Sequence, residues 1–142
     1  MALTVRIMDY FYLRIKHEPL KAYELLAALA SEEINLLAFS AVPYGDHGVE
    51  LTIFPDRSEV FVRLADKSGW ALTGPQHACV IQGDDHLGAL AEIQKELVEA
   101  GVNIYASSGV TDGAGHYGYI IYFKEGDHLA AARAVEALKC LR

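Results

Sequence analysis

Six histidines, two cysteines, a pair of adjacent aspartates and one glycine-rich hexad are the residues of this 142-residue chain with the types to do chemistry. The histidines (His17, His47, His77, His86, His116 and His128) form no H-x-x-x-H pair, and Cys79 and Cys140 are not spaced as zinc ligands. No metal site is expected from them. A hydrolytic triad needs a nucleophile on a sharp elbow with a base in reach. The chain has no G-x-S-x-G, and Ser107-Ser108 fall inside a strand-like run beside Gly109. Asp84-Asp85 have the composition of a general acid/base pair. Their place just ahead of a helix gives them a simpler role, capping exposed N–H groups and complementing the helix dipole. Gly113-Ala114-Gly115-His116-Tyr117-Gly118 is a literal G-x-G-x-x-G. The dinucleotide fingerprint needs a helix after that loop, whereas residues 117–123 are aromatic and β-branched and predict a strand, so the hexad reads as a hairpin turn. No catalytic constellation emerges. The chain is expected to be no enzyme and to require no cofactor.

Composition narrows the partners. About half the residues are hydrophobic and 22% are charged, which excludes a disordered chain. Twelve Lys and Arg are scattered among nineteen Asp and Glu, for a net charge of -7. Phosphate neutralisation carries most nucleic-acid affinity and needs a basic stripe, so neither nucleic acid nor an anionic membrane is an expected partner. No apolar run approaches the roughly 20 residues of a membrane span, and the N-terminus carries no signal-peptide pattern. Cys79 sits in an apolar run and reads as a core residue, and nothing suggests a disulfide framework. A cytoplasmic location is expected.

The elements that position these residues come in two copies. Sliding the sequence by 68 positions lays residues 10–57 over 78–125 without a gap, with eight identities: Glu24/Glu92, Leu29/Leu97, Asn35/Asn103, Ala38/Ala106, Ser40/Ser108, Val42/Val110, Gly45/Gly113 and Ile53/Ile121. About three would arise by chance at ordinary residue frequencies. Each copy opens with an apolar strand (11–15 and 78–81), then a helical period (Ala22, Leu25, Leu26, Leu29; Leu90, Ile93, Leu97). A second strand follows Ile34-Asn35-Leu36 or Val102-Asn103-Ile104, and a glycine-containing turn returns the chain through a third strand, 49–54 or 117–123. Residues 59–66 and 128–138 predict second helices. Residues 70–73 predict a fourth strand that closes the first copy, with Gly74-Pro75 as a turn or linker. The second copy ends without one, and an extra strand at 3–8 is available to fill that edge, from the same chain or a neighbour. The expected fold is α+β: two ferredoxin-like βαββαβ units, 1–74 and 75–142, with antiparallel sheets covered on one face by helices.

The stretch from Gly83 to Ile93 is the most informative. Gly88 is placed at the first turn of a helix, where glycine costs about 1 kcal/mol relative to alanine. Close approach of another backbone or of a ligand would offset that cost, and exposed N–H groups at a helix start suit a carboxylate. A tight loop-to-helix turn is the plainer alternative.

At these residues the sequence resembles the ACT domain, a small regulatory module that binds amino acids. The family pattern is an apolar strand, a D-x-P-G-x-L-like turn, a helix, and a G-[IV]-N-[IV] entry into the second strand. The second copy has Asp85-His86-Leu87-Gly88-Ala89-Leu90 and Gly101-Val102-Asn103-Ile104, lacking only the proline. The first keeps Ile34-Asn35-Leu36 but has Pro19-Leu20 at the turn and Glu33 for the glycine. The resemblance covers nearly the whole chain as a tandem pair, and the chain resembles the stand-alone tandem ACT proteins. It implies a ligand between two paired units. Asp84, Asp85, His86, Leu87, Gly88, Ala89 and Leu90 would form one wall, with Asn103 and Ile104 opposite and Asn35 and Leu36 as the first copy's equivalents. It further implies a free amino acid as ligand, a homodimer, one competent site per chain, and a partner enzyme under regulation. Its carboxylate is expected near the Gly88 and Ala89 amides, and its ammonium near Asp84 or Asp85. The alternative reading is a protein-interaction module acting on an enzyme or transcription factor without a ligand of its own; a metal-binding protein is a more distant one.

Overall fold

The computed structural model describes residues 3–141. Six strands and four helices follow the order β1 (Thr4–Lys16), α1 (Pro19–Ser31), β2 (Leu36–Tyr44), β3 (Gly48–Pro55), α2 (Ser58–Ser68), β4 (Thr73–Asp84), α3 (Ala89–Glu99), β5 (Ile104–Thr111), β6 (His116–Phe123) and α4 (Ala130–Ala137), ending in a 3-10 turn at Leu138–Leu141. The strands form one antiparallel sheet in the order β2-β3-β1-β4-β6-β5. By contacts the chain divides into two units: residues 9–76, and residues 3–8 with 77–141. The division cuts through β1 and β4 rather than falling at residue 74.

Two of the expected strand boundaries are corrected. Residues 3–8 and 11–15 are parts of one strand, β1, and residues 73–84 are one strand, β4, which runs straight through Gly74-Pro75. That peptide bond is cis and lies in the strand, not in a linker. Trp70, expected in a fourth strand, precedes β4 and packs against the core of the 9–76 unit, its ring 6.5 Å from Phe61. The strand needed by the second copy comes from this same chain: Leu3 and Val5 pack against the core formed by residues 79–138.

The 68-residue repeat holds at the level of register. Phe11 pairs with Ile53 and Cys79 with Ile121; Lys16 pairs with Gly48 and Asp84 with His116. The edge strands break register at equivalent places, between Leu36 and Ala38 and between Ile104 and Ala106. In each unit the buried positions of strand and helix meet: Leu25, Leu29, Leu51 and Ile53 in one, Ile93, Leu97, Tyr119 and Ile121 in the other. The bulk is distributed differently. Phe61 of α2 fills the first core, whereas α4 presents Ala130 and Ala134, and the aromatic side chains of β6 take up the volume. Both first helices stop alike, with Glu33 (φ 57) and Gly101 (φ 73) in the left-handed region. In both, the next N–H turns back to a helix carbonyl, Ile34 to Leu29 and Val102 to Leu97, each at 2.9 Å, the bond pattern of a left-handed helix stop.

Candidate functional site

The β4–α3 turn is where the two copies part. In the first copy, Glu18 is extended (φ -129) and Pro19 begins α1 at once, since proline needs no N–H acceptor at that position. In the second, the helix starts at Ala89, two positions later in the repeat frame, and Gly88 is its N-cap with φ 85. Gly88 is therefore not in the helix, as expected from the sequence, but just outside it, and no atom lies within 4 Å of where a side chain would begin. Its left-handed backbone, rather than a close neighbour, accounts for the glycine.

The expected capping by Asp84 and Asp85 is not observed: no side chain caps α3. Asp85 instead donates its N–H to the Gly115 carbonyl (2.8 Å), the counterpart of the 2.8 Å bond from His17 N–H to His47 in the first copy. The Ala89 N–H is used within the turn, donating to the His86 carbonyl at 3.1 Å, and the Gly88 carbonyl accepts from Glu92. The N–H groups of Leu90 and Ala91 are left without a protein acceptor among the described residues, as expected of an uncapped first turn. Of the two amides expected to meet a ligand, that of Ala89 is engaged by the His86 carbonyl, and the Leu90 and Ala91 N–H groups are further donors on offer.

Residues 85–91 line an open depression of about 450 Å³. Leu87 stands fully exposed in it, and Leu90 is 38% exposed. The His86 ring spans the turn, Nδ1 lying 3.2 Å from the Asp84 carbonyl oxygen and Nε2 3.3 Å from the Glu92 carboxylate. Glu92, with the Asp84 carbonyl, raises the His86 pKa above its usual value. The adjoining hairpin is tied down by Asp112, whose carboxylate accepts from the N–H groups of Ala114 (2.7 Å) and His116 (3.0 Å) and sits 3.0 Å from His116 Nδ1. These bonds lower the Asp112 pKa.

Asn103 and Ile104 are not in this depression. Ile104 pairs with Phe123 while Asp84 pairs with His116, so within one unit the asparagine lies seven β6 positions away, about 23 Å at 3.3 Å per residue. The first copy repeats the geometry, Leu36 pairing with Pro55 and Lys16 with Gly48. There the Asn35 backbone is engaged, its N–H donating to the Asp56 carboxylate (3.1 Å) and its carbonyl accepting from the Asp56 N–H (2.9 Å). A strand followed by a helix and a parallel strand returns the chain to its starting end, so turn and asparagine must be at opposite ends. Glu92 was visible in the sequence only as a repeat identity; its i+6 offset from His86 across a non-helical turn conceals their pairing.

Among the described residues no group of three or more His, Cys, Asp or Glu is placed to hold a metal. Among the same residues no helix is long and apolar enough to cross a membrane.

No family model and no curated protein sequence matches the chain. Solved structures do. A protein from Bacteroides thetaiotaomicron (BT0572) superposes with a TM-score of 0.78 at 19% identity, over 95% of this chain and 88% of that one. The ligand-free regulatory subunit of aspartate kinase from Thermus thermophilus matches at 0.60 and 17% identity, over 98% and 100%. E. coli aspartokinase III in complex with lysine and aspartate matches at 0.52 and 14% identity, over 99% of this chain but 33% of the enzyme. The chain has the fold of these regulatory regions, the ACT-type α+β architecture in tandem.

Proposed function

We propose that this chain is a non-enzymatic regulatory protein that binds a free amino acid at a junction between ACT-type units and controls a partner enzyme in the cytoplasm. The observation that carries the reading is the uncapped start of α3: the Leu90 and Ala91 N–H groups open onto the depression lined by residues 85–91, where a carboxylate completes the helix end. Asp85, on the same rim, is the partner for the ligand's ammonium group. Asn103 reaches such a ligand only from another unit, because its own is about 23 Å away along the sheet. That requirement supports a homodimer, as do the unpaired β2 and β5 edges, which pairing would cover. One structural neighbour carries lysine and aspartate, in keeping with an amino-acid ligand here.

Thermal shift against the twenty amino acids tests the reading. Ligand at 100 times its dissociation constant stabilises by about 2.7 kcal/mol, and a flat response to all twenty refutes it. A specific observation favours the second reading, a ligand-free interaction module: Leu37, Phe39, Val42 and Tyr44 are exposed along the β2 edge. Capture of one enzyme or transcription factor with no amino acid present would support that alternative.

A further inference from the structure

Helix α1 turns apolar residues to solvent as well as to the core of the 9–76 unit. Leu25 and Leu29 are buried under it, yet Leu20 is 62% exposed and Tyr23 67%. Ala27, half-buried, and Ala30, exposed, lie on the same side of the helix as these two. The four recur at spacings of three, four and three residues, the a and d positions of a coiled-coil seam. A helix covering one sheet needs a single apolar face, so this second one has no use inside the unit. The repeat shows that the frame does not require it. In the second copy the equivalent residues are Gly88, Ala91, Lys95 and Val98, with a lysine in the middle of the row.

The row on α1 is self-complementary. Its bulky members stand in the first half of the helix and its small ones in the second. Two copies packed antiparallel set Tyr23 against Ala27 and Leu20 against Ala30 in each layer. The flanking positions then meet without like charges, Glu24 near Ser31 and Pro19 near Leu26. Parallel packing would instead stack bulk on bulk and hold the alanines apart. A helix pair of this length falls short of the roughly 800 Å² per partner of a stable dimer. Phe39, 37% exposed on the unpaired β2 edge, extends the surface: it pairs with Ile53, which shares a core with Leu25 and Leu29.

We propose that α1 docks antiparallel onto α1 of a second copy of this chain, with the β2 edge beside it, in a two-fold interface centred between Tyr23 and Ala27. The proposal rests on the homodimer of the preceding reading and names the surface that makes it. It uses no residue of the β4–α3 turn.

Sedimentation equilibrium of the full chain over a concentration series tests it, with circular dichroism to check that each variant is folded. Ala30→Glu sets a carboxylate against Leu20 of the second copy and should raise the dimer dissociation constant roughly a hundredfold. Val98→Glu, at the equivalent place on α3, should leave that constant unchanged. Tyr23→Ala empties a layer and Ala27→Leu overfills it, each weakening the dimer roughly tenfold. The double variant again has one large and one small residue per layer and should recover most of the loss. If Ala30→Glu perturbs the fold, this size exchange decides alone. A dimer indifferent to Ala30→Glu, equal weakening by Val98→Glu, or additive losses in the double variant overturns the interface while the homodimer stands on other surfaces. A wild-type chain that stays monomeric, with and without the amino acid selected by thermal shift, overturns the interface and the homodimer together.

Discussion

The two strand-to-helix turns of this chain sit on the same frame and differ in what they leave open. Register, edge irregularity, helix stop and the bond from turn to hairpin all recur at an offset of 68, down to His17-to-His47 and Asp85-to-Gly115. Packing and backbone bonding demand these features, so each copy keeps them while the side chains change. The turn itself carries no such demand. Pro19 starts α1 directly after an extended residue, whereas Gly88 delays α3 by two positions and leaves an open depression lined by residues 85–91; neither helix start carries a side-chain cap. The hairpins beside them differ too: Asp112 binds its own turn, while at the corresponding position of the first copy the Tyr44 ring lies under the Arg14 guanidinium, 3.8 Å from its carbon. The frame is shared and the chemistry is not.

If the frames are equivalent, equivalent core truncations should cost alike. Leu29→Ala and Leu97→Ala, at 1% and 0% exposure, should each destabilise by about 2–5 kcal/mol in denaturant unfolding. A cost below 1 kcal/mol for either would break the equivalence. The turns should answer differently. Gly88→Val forces a β-branched residue to φ 85, costs about 1–2 kcal/mol and abolishes any amino-acid thermal shift, whereas Leu20→Val in α1 should leave that shift intact. The helix stops should respond with opposite signs. Gly101→Ala should lose about 1 kcal/mol, and Glu33→Gly should gain up to about 1 kcal/mol, because only the first copy has a side chain in the left-handed region. Equal signs in chemical denaturation would contradict the shared stop.

The smallest effect is on pH. The His86 pKa is raised by Glu92, so the folded state holds that proton more tightly than the unfolded chain does. Its stabilisation is complete below the usual value of 6.5 and is lost as pH rises through the higher folded value. Glu92→Gln should flatten that dependence. Asp112 works the other way: its contribution is present above the usual 3.8 and disappears as pH falls through its lowered value. Asp112→Asn should remove the acid-side loss, and the first copy, with Tyr44 at that position, should show none there.

Much of this frame was legible because period and spacing report packing directly. The Leu25/Ile93 and Leu29/Leu97 pairs recur at helical spacing, and residues 117–123 alternate as a half-buried strand must. Strand ends were not legible. Asp9 interrupts an apolar pattern and yet lies mid-strand, where it accepts a hydrogen bond from the Ser58 hydroxyl at 3.2 Å. Pro75 reads as a break and yet lies within β4. In both cases the neighbouring elements, not the local residues, decide. In the site, the special character of Gly88 was visible but its cause was not, because a left-handed N-cap and a first-turn glycine look the same in sequence.

The most direct test of the difference between the two turns is calorimetric titration of the amino acid that gives the largest thermal shift, followed by amide-correlation NMR of the complex. One ligand per chain, with the largest amide shifts at Leu90 and Ala91 and little change at Lys21 and Ala22, is the predicted result. Two ligands per chain, or shifts centred on residues 17–22, would contradict the assignment of recognition to the β4–α3 turn.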